Sequence, residues 1–143
     1  AGGDTFEDFD NRTYKGKSFT SHNFTDAELV KTTRRQMGKK PVILSVKCYK
    51  PFVLSEVEPD VDAIVIDFET QAQAVMDIIS GKVEPNGLLP MQFPKDMLTV
   101  EAQKEDVPRD MIPYTSSEGH SYDFAFGMNW KGIIHDARVE KYK

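Results

Sequence analysis

Two carboxylates separated by one aromatic residue follow the most apolar strand-like segment of the chain: Asp67 and Glu69 flank Phe68. If the strand runs through them, its alternation points both acids to one face. Paired carboxylates can divide acid and base roles, or accept hydrogen bonds from the hydroxyls of a polyol. The alternative is that they only cap and complement the positive start of the next helix.

The segments around this pair predict an α/β fold, an open and mostly parallel sheet flanked by helices. The predicted elements are a helix at 25–37, a strand at 41–48, a short helix at 54–57, a strand at 62–68 and a helix at 71–80. Open α/β sheets bind ligands beyond the carboxyl ends of their strands. Here those ends are residues 47–50 and 67–71, so the acid pair lies where a ligand is expected.

Local signals set the ends of the predicted helices. Thr25 and Glu28 fit a capping box, and Gly38 suits the left-handed position after the first helix. Thr70 is the predicted cap of the helix at 71–80. The near-continuous apolar run at 62–68 is typical of a buried parallel strand.

The flanking parts of the chain are less regular. Residues 1–23 are polar with interspersed aromatics and predict an extended arm, leaving 24–143 as the α/β unit. The remaining predictions are an extended segment or edge strand at 88–94, a short helix at 100–104, and short strands at 122–127 and 131–134.

Composition excludes several function classes. The net charge of −5 argues against binding to nucleic acid or to an anionic membrane, and no apolar run is long enough to span a bilayer. One cysteine, Cys48, rules out an intramolecular disulfide, and the three histidines match no metal-binding spacing. We therefore expect no metal and no cofactor. Aromatic side chains are candidates for stacking on sugar rings, with core packing as the alternative; they are Tyr14, Tyr49, Tyr114, Tyr122 and Trp130.

Four segments in order resemble blocks of glycoside hydrolase family 3. Residues 81–94 read GKVEPNGLLPMQFP and are similar to the pattern G-x-x-x-P-S-G-x-L-P-x-x-x-P, and residues 122–128 read YDFAFGM, similar to Y-x-F-G-F-G-L. Residues 40–46 and 61–65 resemble the family's K-P-V-V-V-V and V-D-A-I-L strands. Asn86 and Ala125 depart from the patterns, which have Ser and Gly there.

The resemblance implies that this chain is part of the C-terminal α/β sandwich domain of a β-glucosidase-like enzyme. Such enzymes hydrolyse β-glycosides with retention, using two carboxylates. The family's nucleophile is an Asp on a barrel domain that nothing here resembles, so we expect the isolated chain to be inactive. The implied partners are that barrel domain and a β-glucoside or oligosaccharide. Residues 11–17 resemble a segment of enzymes from gut-type bacteria, which favours a bacterial parent. The sequence leaves the compartment open, and we expect a periplasmic or secreted parent.

The resemblance leaves two places for the acid/base residue. In some members it is a Glu in a P-G-x-E-G loop, whose Glu position aligns with Gln71 and whose nearest carboxylate here is Glu69. In other members it lies in a loop upstream of the matched region. The chain departs from the P-G-x-E-G pattern, which favours the upstream loop. Within this chain Glu69 is the candidate acid/base, and Asp67 and Gln71 are candidate substrate-binding residues.

Other interpretations of the chain remain open. It can be a free-standing sugar-binding or protein-interaction module without catalysis, or an unrelated receiver-like α/β protein in which Asp67 and Lys47 form a reduced acidic site. Uncovered sheet edges and faces also predict dimerisation or strand exchange of the isolated chain.

Overall fold

The computed structural model describes residues 24–104 and 107–142, so the predicted N-terminal arm lies outside the described residues. The helices are α1 (Phe24–Met37), α2 (Ala72–Ile79), α3 (Met97–Ala102) and α4 (Ala137–Tyr142). The strands are β1 (Ile43–Lys47), β2 (Ala63–Asp67), β3 (Met128–Asn129) and β4 (Gly132–Ile133). Strands β1 and β2 pair in parallel, from Ile43 opposite Ala63 to Lys47 opposite Asp67. The predicted α/β class and the parallel pairing are confirmed.

The crossover between the parallel strands supplies the centre of the core. It holds two short 3-10 turns, Leu54–Glu56 and Glu58–Asp60, where a short helix was expected. The Leu54 side chain is fully buried and packs with Cys48 and Phe93. This short crossover therefore joins two parallel strands and also contributes a buried apolar side chain to the core.

Helix α1 ends as predicted but begins earlier. Gly38 has a φ of 58° and its N–H bonds to the Arg34 carbonyl at 3.1 Å, which is a left-handed helix stop. The Arg34 guanidinium binds the Asp62 carboxylate and the Asp60 carbonyl, and so fixes α1 to the start of β2. The helix begins at Phe24, so the prediction of Thr25 as its cap is wrong: Thr25 lies inside the first turn.

Two predictions around β2 are also wrong. Ala63 is exposed and the residues from Ile64 to Asp67 are only half-buried, in a described sheet of two strands. Helix α2 has Gln71, not Thr70, at its N-cap position, and the Gln71 side chain makes no capping bond. The Thr70 N–H is instead bound by Asp67, which ends the strand in a tight turn.

The predicted extended segment at 88–94 pairs with the block at 122–127. The Leu89 N–H bonds to the Phe126 carbonyl at 2.7 Å, and the Ala125 N–H bonds back to the Leu89 carbonyl at 2.8 Å. The Phe93 N–H bonds to the Tyr122 carbonyl at 3.0 Å. These bonds are isolated rather than a ladder, so the strand predicted at 122–127 does not form.

A close contact between two backbones explains Gly127 in the second of these blocks. A Cβ built on Gly127 would collide with the Gly87 carbonyl oxygen and lie 3.0 Å from the Leu88 Cδ2 atom. Only glycine allows this approach without displacing the chain. Ala125 has a φ of 66°, a conformation that favours the glycine of the family pattern.

The helix predicted at 100–104 starts three residues earlier, at Met97. Asp96 caps it by accepting hydrogen bonds from the Thr99 N–H at 2.8 Å and the Thr99 hydroxyl at 2.9 Å. The final strand prediction is met by the hairpin of β3 and β4. Helix α4 was not predicted; its Val139 side chain is buried.

Candidate functional site

The carboxyl ends of β1 and β2 bring four polar side chains to one edge of the sheet. Lys47 and Asp67 are opposite each other in the last register pair. The pairing continues one step further, since the Cys48 N–H bonds to the Asp67 carbonyl at 2.8 Å. Tyr49 and Glu69 follow these positions directly. We call Lys47, Tyr49, Asp67 and Glu69 the strand-end site.

Asp67 organises the turn that leaves β2. Its Oδ1 atom accepts hydrogen bonds from the backbone N–H groups of Glu69 and Thr70, both at 3.1 Å. Glu69 takes a φ of 72°, which is uncommon for a residue with a long side chain. This reversal breaks the strand alternation, so Asp67 and Glu69 meet through the turn and not through a shared strand face as expected.

The turn directs the Glu69 carboxylate to residues at and just after the end of β1. Its Oε1 atom accepts a hydrogen bond from the Tyr49 hydroxyl at 2.6 Å and lies 3.4 Å from the Lys47 Nζ atom. The Lys47 ammonium also lies over the Tyr49 ring, 5.5 Å from its centroid. Contacts with the Tyr49 hydroxyl, then with the Glu69 carboxylate, raise the pKa of Lys47 above its ordinary range. Lys47 is therefore a cation in this cluster.

The site is open to solvent. The Glu69 side chain is 62% exposed and the Lys47 side chain 53% exposed. Exposed ion pairs contribute little to folding stability, so a stabilising role does not account for this cluster. Fixed but accessible donors and acceptors are instead suited to recognising a polar ligand.

Of the predicted site residues, the structure brings Asp67 and Glu69 together and places Gln71 two residues further on, exposed at the start of α2. Lys47 and Tyr49 were missed as partners of Glu69. The signal was present, because the strand end at 47–50 was expected to meet 67–71. What sequence reasoning lacked was the register that sets Lys47 opposite Asp67.

A second polar cluster holds the core together. The Glu58 carboxylate accepts hydrogen bonds from the hydroxyls of Tyr114 at 3.0 Å and Tyr122 at 3.2 Å, and the two rings stack with centroids 5.6 Å apart. Burial, reinforced by the Glu58 charge, raises the pKa of Tyr122 well above its ordinary range. Two of the candidate sugar-stacking tyrosines are thus used internally.

Neither cluster resembles a metal centre. Across residues 24–104 and 107–142, no group of three or more His, Cys, Asp and Glu side chains is arranged to hold a metal ion.

Burial raises the pKa of the Cys48 thiol, which bonds to the Lys50 carbonyl at 2.9 Å. No helix in the described part of the chain is both long and apolar enough to cross a membrane.

Chemically, the strand-end site offers a fixed carboxylate, a cation and an exposed aromatic ring. The carboxylate can accept hydroxyl hydrogen bonds, and it can exchange a proton if a partner excludes water from it. Asp67, the neighbouring carboxylate, already binds the backbone of the turn through its Oδ1 atom.

Comparison with known proteins agrees with the motif blocks. The profile described as "Glycosyl hydrolase family 3 C-terminal domain" matches residues 3–130. Among curated proteins, "Beta-glucosidase C" of Emericella nidulans is 31% identical over 84 residues, which is 59% of this chain and 14% of that protein. "Probable beta-glucosidase C" of Aspergillus flavus and that of Aspergillus oryzae are each 32% identical over 85 residues, 13% of their length. No solved structure matches the chain.

These relatives are fungal, so the bacterial origin expected from residues 11–17 stays a prediction. The matched segment is a small part of each relative, whereas the family profile spans nearly the whole chain. That profile includes β1, β2, the strand-end site and both glycine-containing blocks. The chain therefore belongs to the C-terminal domain family of glycosyl hydrolase family 3.

Proposed function

We propose that this chain acts as part of a β-glucosidase-like enzyme, where its strand-end site forms one wall of a sugar cleft completed by a barrel domain. Asp67 and Gln71 face substrate hydroxyls, and Glu69 is the acid/base residue. The observation that carries the proposal is the Glu69 carboxylate, which is held by Tyr49 and Lys47 yet open to solvent. The relatives' names support a β-glucoside as the substrate.

The surroundings of Glu69 also support the expectation that the isolated chain is inactive. Retaining hydrolysis needs a carboxyl group that first donates and later removes a proton. A proton donor requires surroundings that disfavour its charged form, whereas the Glu69 side chain is 62% exposed to water. A barrel domain packed over the sheet edge would supply those surroundings, as well as the nucleophile.

The test is hydrolysis of p-nitrophenyl β-D-glucoside by the chain, by a separately prepared barrel domain of a family 3 β-glucosidase, and by the two mixed. We expect activity only in the mixture. Glu69→Gln should lower that activity about 100-fold or more, because acid–base assistance commonly contributes that much. The control Glu84→Gln removes an exposed carboxylate elsewhere and should leave activity unchanged.

Substrates with different leaving groups separate the two roles of Glu69. The dinitrophenolate of a dinitrophenyl glucoside leaves without protonation, so the glycosylation step, measured as kcat/KM, should be nearly restored in E69Q if Glu69 is the acid. An equal loss of kcat/KM on both substrates would contradict the acid role. Activity of the chain without the barrel domain would contradict the shared cleft.

The second candidate is a sugar-binding module without catalysis, which the contact of Glu69 with Lys47 favours because it holds a hydrogen-bond acceptor and a cation side by side at an open site. It predicts binding of glucosides by the chain and no activity in the mixture. Calorimetric titration with cellobiose distinguishes this outcome from a chain that neither binds nor acts.

A further inference from the structure

We propose that Tyr49 is the platform on which a sugar ring stacks at the strand-end site, and that it determines the orientation of the sugar there. This inference rests on the proposed sugar site and adds a residue to it. The Tyr49 side chain is 60% exposed, so a large part of its ring is open to a ligand. An exposed aromatic ring beside a fixed carboxylate presents both an apolar face and a hydroxyl acceptor.

The ring is exposed and yet held in place. Its hydroxyl donates to Glu69 at 2.6 Å, and the Lys47 ammonium lies over one face at 5.5 Å from the centroid. The residue before it, Cys48, is buried and bonded to Asp67 through its backbone and to the Lys50 carbonyl through its thiol. Little conformational freedom remains to be lost when a ligand packs against the ring.

The chemistry fits a pyranose. The face of an aromatic ring carries partial negative charge, and the axial C–H groups of a β-glucoside carry partial positive charge on one face of the sugar. Lys47 covers one face of Tyr49, which leaves the other for the sugar. A ring stacked there would bring its hydroxyls towards the Glu69 carboxylate, which accepts hydrogen bonds.

Other aromatic candidates are placed differently. Tyr114 and Tyr122 stack on each other, bind Glu58 and pack against the core. Trp130 is 63% exposed but lies at the turn of the β3–β4 hairpin, which is distant in sequence from the strand-end site. It is therefore a matched control for the removal of an exposed ring.

The experiment is an NMR titration of the chain with methyl β-D-glucoside and with cellobiose, using the wild type, Tyr49→Ala, Tyr49→Phe and Trp130→Ala. We expect Y49A to weaken binding about tenfold, and Y49F to stay within about threefold of the wild type because it keeps the ring. W130A should bind as the wild type does. Amide shifts at 47–49 and 67–71 report where the sugar sits, and signal dispersion reports that each variant is folded.

Each outcome decides between the claims. Binding by the wild type that Y49A leaves intact overturns the platform and leaves the sugar wall standing. Equal weakening in Y49A and Y49F also overturns it, because the hydroxyl link to Glu69 would then be the essential part. Absence of binding by the wild type overturns both this inference and the proposed sugar wall.

Discussion

At the scale of single residues, the chain accepts backbone strain where its candidate chemistry lies. Glu69 has a positive φ of 72°, and the Asp67 carboxylate holds this conformation by binding the N–H groups of Glu69 and Thr70. Left-handed backbone costs about 1 kcal/mol for residues with a Cβ atom. The contacts of Glu69 with Lys47 and Tyr49 are exposed and therefore offset little of this free energy. This fits a residue kept for function rather than for stability.

Comparison of two substitutions at position 69 isolates this strain. Glu69→Ala and Glu69→Gly both delete the carboxylate, but only glycine relaxes at positive φ, so E69G should be more stable by about 1 kcal/mol. Urea unfolding gives the difference. The same pair at Glu101 in α3 should show the reverse order, since glycine weakens a helix. An E69G variant no more stable than E69A would contradict the strained conformation.

The contact of Gly127 with Gly87 makes a second prediction. Gly127→Ala places a Cβ against the Gly87 carbonyl, and the chain must shift to accept it. We expect a loss of about 1–3 kcal/mol in the free energy of unfolding, as for other overpacked sites.

Gly87→Ala is the matched control, because a Cβ there meets nothing within 4 Å. Its free energy of unfolding should change by less than about 1 kcal/mol. Equal losses in G127A and G87A would show that the two glycine-containing blocks do not pack as described.

Sequence reasoning reached part of the site for a physical reason. Asp67 and Glu69 were found because polar residues directly after an apolar strand mark a sheet edge. Tyr49 and Lys47 were not joined to them, because this contact depends on strand register and on the left-handed turn at Glu69. Neither feature is encoded in local hydrophobic periodicity.

At the scale of elements, caps decide where helices begin, and they were the weakest predictions. Helix α3 starts at Met97 because Asp96 binds both the N–H and the hydroxyl of Thr99. The pattern Asp-x-x-Thr was available in the sequence but is common by chance. In contrast, the end of α1 was predicted correctly because glycine after a helical run has one dominant use.

The cap of α3 predicts a pH-dependent effect. Hydrogen bonds from Thr99, the backbone N–H first, lower the pKa of Asp96, so its stabilisation is present above the ordinary aspartate range and is lost as pH falls through the lowered pKa. Asp96→Ala should lower the unfolding temperature by roughly 3 °C at neutral pH, and the gap should narrow in strong acid, where the protonated carboxyl group still offers a neutral capping oxygen. Asp96→Asn keeps a capping oxygen without the charge, so its difference from Asp96→Ala should not depend on pH. A gap between the wild type and Asp96→Ala that is independent of pH would contradict the cap.

The hydrogen bond from Tyr122 to Glu58 predicts the opposite pH dependence, a loss of stability at high pH. Burial, with the charge of Glu58, raises the pKa of Tyr122, so its stabilisation is full below the ordinary tyrosine pKa of about 10 and is lost as pH rises through the higher folded value. The free energy of unfolding should therefore fall with pH above about 10. Tyr122→Phe should make that fall shallower, as measured by urea unfolding at several alkaline pH values. Identical slopes would show that folding does not raise the pKa of Tyr122.

At the scale of the whole molecule, the described residues leave apolar surface uncovered. Helix α2 is largely apolar yet none of its residues is buried, and Met76 is 55% exposed. Near both ends of α2, Phe68 is 45% and Val83 47% exposed. The class of the fold was predictable because it follows from the order of helices and strands. The depth of burial was not, since it depends on which surfaces meet α2 and the two-stranded sheet.

We propose that the isolated chain covers this surface by associating with a second copy, through α2. Light scattering at high concentration should give an average mass above the 16.2 kDa of one chain. Met76→Lys puts a charge on the apolar face and should return the mass to that of one chain, because a charge is costly to bury without a partner. Gln73→Lys adds the same charge to an exposed polar position of α2 and should leave association intact. A wild type that stays at one chain's mass, or equal effects of the two lysines, would contradict association through α2.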